Sequence, residues 1–135
     1  MDTAVEIQIA IQVESDIVMA RRAVRDAANS LGFGVSDTTR IVTAASELAR
    51  NIFKYAGEGV MDVRPLNSGE RRGIELRFVD HGPGIPDIQE ALKEGFSTAG
   101  GLGLGLPGAK RLMDELDVQS EPGQGTIVTV KKWRT

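Results

Sequence analysis

Glu47, Asn51 and Lys54 stand at i, i+4 and i+7 within the segment SELARNIFKYAG, so on a helix they share one stripe. An acid, an amide and an amine in that order have a joint chemistry. The amide oxygen is a hard ligand for a divalent cation, the carboxylate can take a proton from a hydroxyl, and the ammonium can neutralise phosphate. The same residue types also make an ordinary solvated stripe, and spacing alone leaves both readings open.

Three glycine-bearing stretches add to this set. In VDHGPGIP, Asp80 follows directly on a strand pattern and can accept a hydrogen bond from an exocyclic amine, while Gly82 and Gly84 let a planar group approach the backbone. A plain turn would use the same residues. In GQGT, Gly123 and Gly125 precede Thr126, whose hydroxyl could donate to a ring nitrogen or simply sit at a hairpin turn.

Residues 100–108 read GGLGLGLPG, and GLGLPG within them satisfies GxGxxG. A dinucleotide site needs a strand immediately before these glycines, and EALKEGFSTAG is not one. A Walker loop needs GK[ST] where GAK stands. What remains is a run of backbone N–H groups ahead of a helix, suited to an anion such as phosphate. The small, polar stretch from Pro86 to Gly101 reads as a lid over that anion.

The elements that must position these residues follow from periodicity. Val5, Ile7, Ile9, Ile11 and Val13 alternate with Glu6, Gln8, Ala10 and Gln12, and segments 61–64 and 74–78 alternate likewise around the turn NSGERRG, so strands with one buried face are expected. Such alternation disfavours a doubly wound parallel sheet. The pattern predicts an α/β (α+β) two-layer sandwich with helices on one face. One helix is expected from Ser15 and Asp16 to about Leu31, closed by Gly32, and another from Ser36 and Asp37 to about Ala56, closed by Gly57. The second buries Ile41, Ala45, Leu48, Ala49, Ile52 and Phe53, leaving Glu47, Asn51 and Lys54 on its other side. A short turn around Ile88, Ala91 and Leu92, a last helix from Leu106 and Pro107 with Leu112, Met113 and Leu116 inward, and a closing hairpin around PGQG complete the reading.

Composition narrows the function. The chain has 135 residues, 41% of them hydrophobic, which is the range of one globular domain over 1–135. A net charge of −3, from 16 basic and 19 acidic residues, offers no surface for nucleic acid. The absence of cysteine excludes thiolate chemistry, and His81, the single histidine, is assigned no role. No apolar run approaches the ~20 residues that span a bilayer, and acids stand where a signal peptide carries bases, so a cytoplasmic protein without a membrane partner is expected.

Taken in order, ELARN on a helix, DHGPG after a strand, GLGLGL before a helix and GQGT before a strand resemble the N, G1, G2 and G3 boxes of the GHKL ATP-binding family. The resemblance covers nearly the whole chain and implies the Bergerat fold, with a mixed sheet and with Mg-ATP held between helices and lid. Within the family, SELARNIFKYAG, GLGLGLPGAKRLMDEL and GTIVTVKKW look like the anti-sigma-factor serine kinases, and among them the RsbT type of stressosome switch kinase. It implies ATP and Mg²⁺ as cofactors, and transfer to serine or threonine of a STAS-domain protein. Binding of a downstream phosphatase or other effector is implied as the next event.

By position, Glu47 resembles the general base, Asn51 the Mg²⁺ ligand and Lys54 a basic residue facing the nucleotide. Asp80 resembles the adenine-reading acid, Gly82 and Gly84 the shapers of its pocket, and Thr126 the hydroxyl beside it. Gly101, Leu102, Gly103, Leu104 and Gly105 resemble the phosphate loop, with Phe96, Ser97 and Thr98 in the lid. The length, short of the extra domains of gyrase or Hsp90, implies a stand-alone domain. Two other functions share this framework: a nucleotide-gated sequestering protein of the anti-sigma kind, which needs no base, and a histidine kinase catalytic domain serving a separate partner.

Overall fold

The computed structural model describes residues 7–84 and 106–134. The elements are β1 (Ile7–Ile11), α1 (Ser15–Ser30), α2 (Val35–Asn51), a π-helical turn (Ile52–Ala56), β2 (Gly59–Ser68), β3 (Arg71–Asp80), α3 (Leu106–Leu112), β4 (Glu115–Glu121) and β5 (Gly125–Trp133). The expected lid, its turn around Ile88 and the loop Gly101 to Gly105 lie outside the described residues.

The five strands form one sheet in the order β1-β2-β3-β5-β4. Its alternation is the one read from sequence. Met61, Val63, Ile74, Leu76, Phe78, Val128 and Val130 are buried beneath α1, α2 and α3. On the other face, Gln8 Nε2 donates to Asp62 at 2.8 Å and Arg64 pairs with Glu75 at 2.8 Å. The sheet is antiparallel at all four pairings, where a mixed sheet was expected. Two helices between β1 and β2 return the chain to the end where β1 stops, and hairpins make two more pairs. β4 does run in the direction of β3, but β5 lies between them, so no parallel neighbours arise.

Helix ends differ from the expectation in informative ways. α2 is entered from Gly34 in an extended conformation, so Ser36 and Asp37 lie inside its first turn and do not cap it. There Asp37 complements the helix dipole and pairs with Arg40 at 3.1 Å. The α-helix ends at Asn51 and not near Ala56; the next turn is π-helical and closes with the Gly57 N–H on the Ile52 carbonyl at 2.9 Å. Gly57 then reverses the chain at φ +87°. Leu116 belongs to β4, not to the last helix, because Lys132 Nζ takes the Leu112 carbonyl at 3.1 Å and the Asp114 N–H pairs with Lys131 at 2.9 Å.

Candidate functional site: a cleft between α2 and the sheet

A line of paired residues crosses the sheet at one end. Ile11 pairs with Gly59, Gly59 with Asp80, Asp80 with Thr126, and Thr126 with Ser120. Above Asp80 and Thr126 opens a cleft walled by Leu48, Ile52, Phe78, Leu106 and Val128, with Asn51 and Tyr55 on the helical side and Gly84 at the margin. Apolar walls carrying a few polar groups suit a flat heteroaromatic ring.

The polar groups on the sheet side are held by local devices. Asp80 Oδ1 accepts the Gly82 N–H at 2.9 Å, which fixes the carboxylate and leaves Oδ2 without a partner among the described residues. Gly82 is required by space, since a Cβ there would come within 2.6 Å of the Ala56 Cβ. Gly125 is required twice over: its φ is +119°, and a Cβ would run into the Asp80 carbonyl oxygen. That close approach lets Thr126 pair beside Asp80. The Thr126 hydroxyl, 8% exposed as a residue, lies 3.0 Å from Ser120 Oγ, which donates to the Gly125 carbonyl at 3.1 Å.

Asn51 is the last residue of α2 and lines the cleft; Glu47, one turn earlier, is partly buried. Neither side chain has a hydrogen-bond or ion-pair partner among the described residues. Lys54 falls off their stripe. A π turn advances more slowly around the axis than an α turn, so Lys54 swings out, exposed, with Nζ 5.3 Å from the centre of the Tyr55 ring. The structure thus brings Asn51, Asp80, Gly84 and Thr126 to one cleft. Gly82 packs against Ala56 and Asp80 of the lining, while Glu47 and Lys54 are not among the lining residues. Sequence reasoning missed Tyr55 and Ser120. The second was within reach, because a hairpin centred on PGQG puts position 120 opposite 126.

The profile described as histidine kinase-, DNA gyrase B- and HSP90-like ATPase matches residues 36–135. The chain belongs to this ATPase family. It is 50% identical over 125 residues to the serine/threonine-protein kinase RsbT of Bacillus subtilis (strain 168), covering 93% of this chain and 94% of that one. It is 33% identical over 120 residues to the anti-sigma F factor of Thermoanaerobacter sp. (strain X514), covering 84% and 82% of the two. In fold, this ATPase-family chain matches the RsbU and RsbW domains of Rv1364c from Mycobacterium tuberculosis with a TM-score of 0.66, over 99% of this chain and 34% of that chain at 19% identity. The catalytic domain of histidine kinase ThkA matches with a TM-score of 0.51, over 97% and 95% at 15% identity.

This family member is an ATP-binding enzyme of the kinase class. Its cleft offers what a nucleotide base would need: Asp80 Oδ2, without a partner among the described residues, could accept from an exocyclic amine, and the apolar walls could pack on the ring faces. No helix among the described residues is long and apolar enough to cross a membrane. Among the described residues there is also no group of three His, Cys, Asp or Glu placed to hold a metal ion.

Proposed function

We propose that this chain is a protein kinase that transfers the γ-phosphate of Mg-ATP to a serine or threonine of a STAS-domain protein in a partner-switching stress pathway. It then binds and activates a downstream phosphatase or other effector. We assign it to the cytoplasm, as a single domain over residues 1–135. The observation that carries the reading is one cleft with Asp80 and Thr126 on the sheet side and, on the helix side, an Asn51 without a partner among the described residues.

In this reading, Asp80 and Thr126 select adenine, Gly82 and Gly84 keep its pocket open, and the backbone of Gly101, Leu102, Gly103, Leu104 and Gly105 receives the phosphates. Asn51 would hold Mg²⁺, which would supply positive charge against the phosphates. Lys54, held over Tyr55 at the side of the cleft, adds positive charge nearby. Glu47 accepts the proton of the attacking hydroxyl. Phosphoryl transfer depends mostly on positioning and charge, so this short set of groups suffices.

The kinship with anti-sigma F factors supports a second reading, a nucleotide-gated sequestering protein with little transfer. A partly buried Glu47 without a partner among the described residues favours the enzyme, because a sequestering protein has no use for a base. Incubation with labelled Mg-ATP and purified STAS-domain proteins separates these readings. We expect acid-stable, alkali-labile label on a hydroxyl residue of one partner. Tight binding without label would favour sequestration, and acid-labile label would indicate a histidine acceptor.

A further inference from the structure

Ser120 sets the direction of the hydrogen bonds on the sheet side of the cleft. Its Oγ reaches the Gly125 carbonyl oxygen at 3.1 Å and Thr126 Oγ1 at 3.0 Å. A carbonyl has no proton to give, so Ser120 donates to Gly125, and a hydroxyl carries a single proton. Between the two hydroxyls, Thr126 is therefore the donor. What Thr126 keeps for a ligand is its lone pairs.

Strand order gives that polarity a consequence. Thr126 pairs with Ser120 of β4 on one side and with Asp80 of β3 on the other. By alternation its side chain shares the sheet face of Val128 and Val130, and the residue borders the cleft. With its proton drawn toward β4, Thr126 offers none to Asp80 across the β3–β5 ladder. Asp80 Oδ1 accepts the Gly82 N–H, and Oδ2 has no partner among the described residues. Asp80 Oδ2 and Thr126 Oγ1 thus stand as two acceptors on paired positions. One group that carries two protons, a primary amine on a ring, satisfies both. A ring carbonyl in its place would bring a third acceptor and leave all three unpaired.

We propose that Ser120 is a positioning residue for purine recognition: by taking the Thr126 proton it makes Thr126 an acceptor, and Asp80 and Thr126 together receive both protons of the exocyclic amine. The inference rests on the adenine seat in the reading above and adds how the hydroxyl takes part in it. It reverses the expectation from sequence that Thr126 donates to a ring nitrogen. Ser120 itself touches no part of the base; it acts through the hydroxyl that it orients.

The test uses the full chain with S120A and T126V, and reads binding by calorimetric titration. Three ligands are compared: ATP, purine riboside triphosphate, in which hydrogen replaces the amine, and 1-deazaadenosine triphosphate, in which CH replaces ring nitrogen N1. The readout is the ratio of affinities, because a variant that merely loosens the hairpin weakens all three ligands alike. In the parent, loss of the amine should cost about 100-fold and loss of N1 no more than about twofold. In both variants the cost of losing the amine should shrink about tenfold. S120A also releases the Thr126 proton, so there the cost of losing N1 should rise to about five- to tenfold. T126V leaves Ser120 in place and carries the test by itself should S120A not fold. A parent that loses about tenfold or more with N1, or an amine cost in either variant equal to that of the parent, overturns the inference and leaves ATP binding intact. ATP affinity unchanged in D80N overturns the adenine seat and the inference with it.

Discussion

Asp80 and Thr126 face each other across the β3–β5 ladder, and both line the same cleft. Their neighbourhood depends on Gly125, whose missing side chain lets β5 come down onto the Asp80 carbonyl. A carboxylate and a hydroxyl distant in sequence thereby become adjacent.

Asp80→Asn should retain the Gly82 hydrogen bond while presenting an NH₂ group where an exocyclic amine requires an acceptor. We expect ATP affinity to fall by about 10- to 100-fold, the loss of one charge-assisted hydrogen bond. Calorimetric titration of parent and variant checks this, and equal affinities would remove Asp80 from adenine recognition.

Asn51→Ala should weaken ATP binding in the presence of Mg²⁺ far more than in EDTA. A loss of equal size in both buffers would mean that Asn51 touches the nucleotide by itself and holds no metal.

Glu47→Ala should bind Mg-ATP like the parent and transfer phosphate about 10²- to 10⁴-fold more slowly, the usual contribution of a general base. Single-turnover transfer to the STAS partner is the measurement. A rate near that of the parent would exclude the base assignment.

Gly125→Ala places a Cβ against the Asp80 carbonyl in a backbone conformation that alanine avoids. A cost of about 3 kcal/mol or more in unfolding free energy is expected. Gly123→Ala, with φ +80° and open space around the added methyl, should cost only about 1 kcal/mol. Urea titrations of both variants read the difference.

Asp16 supplies a pH dependence. Its carboxylate accepts the backbone N–H groups of Gln12 and Val13 at 2.8 and 3.0 Å, and these bonds hold its pKa below the ordinary 3.8. A depressed folded-state pKa means that the contribution to stability is present above 3.8 and is lost as pH falls through the lowered value. The stability gap between parent and Asp16→Ala should therefore be full at neutral pH and narrow in strong acid. A gap independent of pH would show that the carboxylate charge has no part in it.

Much of this molecule was legible locally. Strand alternation in β1, β2 and β3 gave the buried face, and the apolar period of α2 gave its inward side from Ile41 to Ile52. Asp80 and Gly82 announced a turn after a strand, as found. The π turn after Asn51 was not legible, because the same residues satisfy an α-helical pattern and only the closure of Gly57 on Ile52 distinguishes the two. That one change moved Lys54 off the stripe of Glu47 and Asn51 and brought Tyr55 into the cleft. The antiparallel order was equally hidden, since alternation reports which face a strand buries and says nothing of which strand lies beside it.

The sequence by itself determined what depends on near neighbours along the chain: which faces are apolar, where the helices begin and end to within a turn or so, and that acid, amide and glycine boxes recur in the order of an ATPase family. Tertiary structure decided what depends on distance through space. It set Asp80 beside Thr126 and brought Asn51 to the same cleft from the helical side. Those relations come from strand order and close backbone packing, in which residues dozens of positions apart share one contact, and periodicity along a chain carries no record of that.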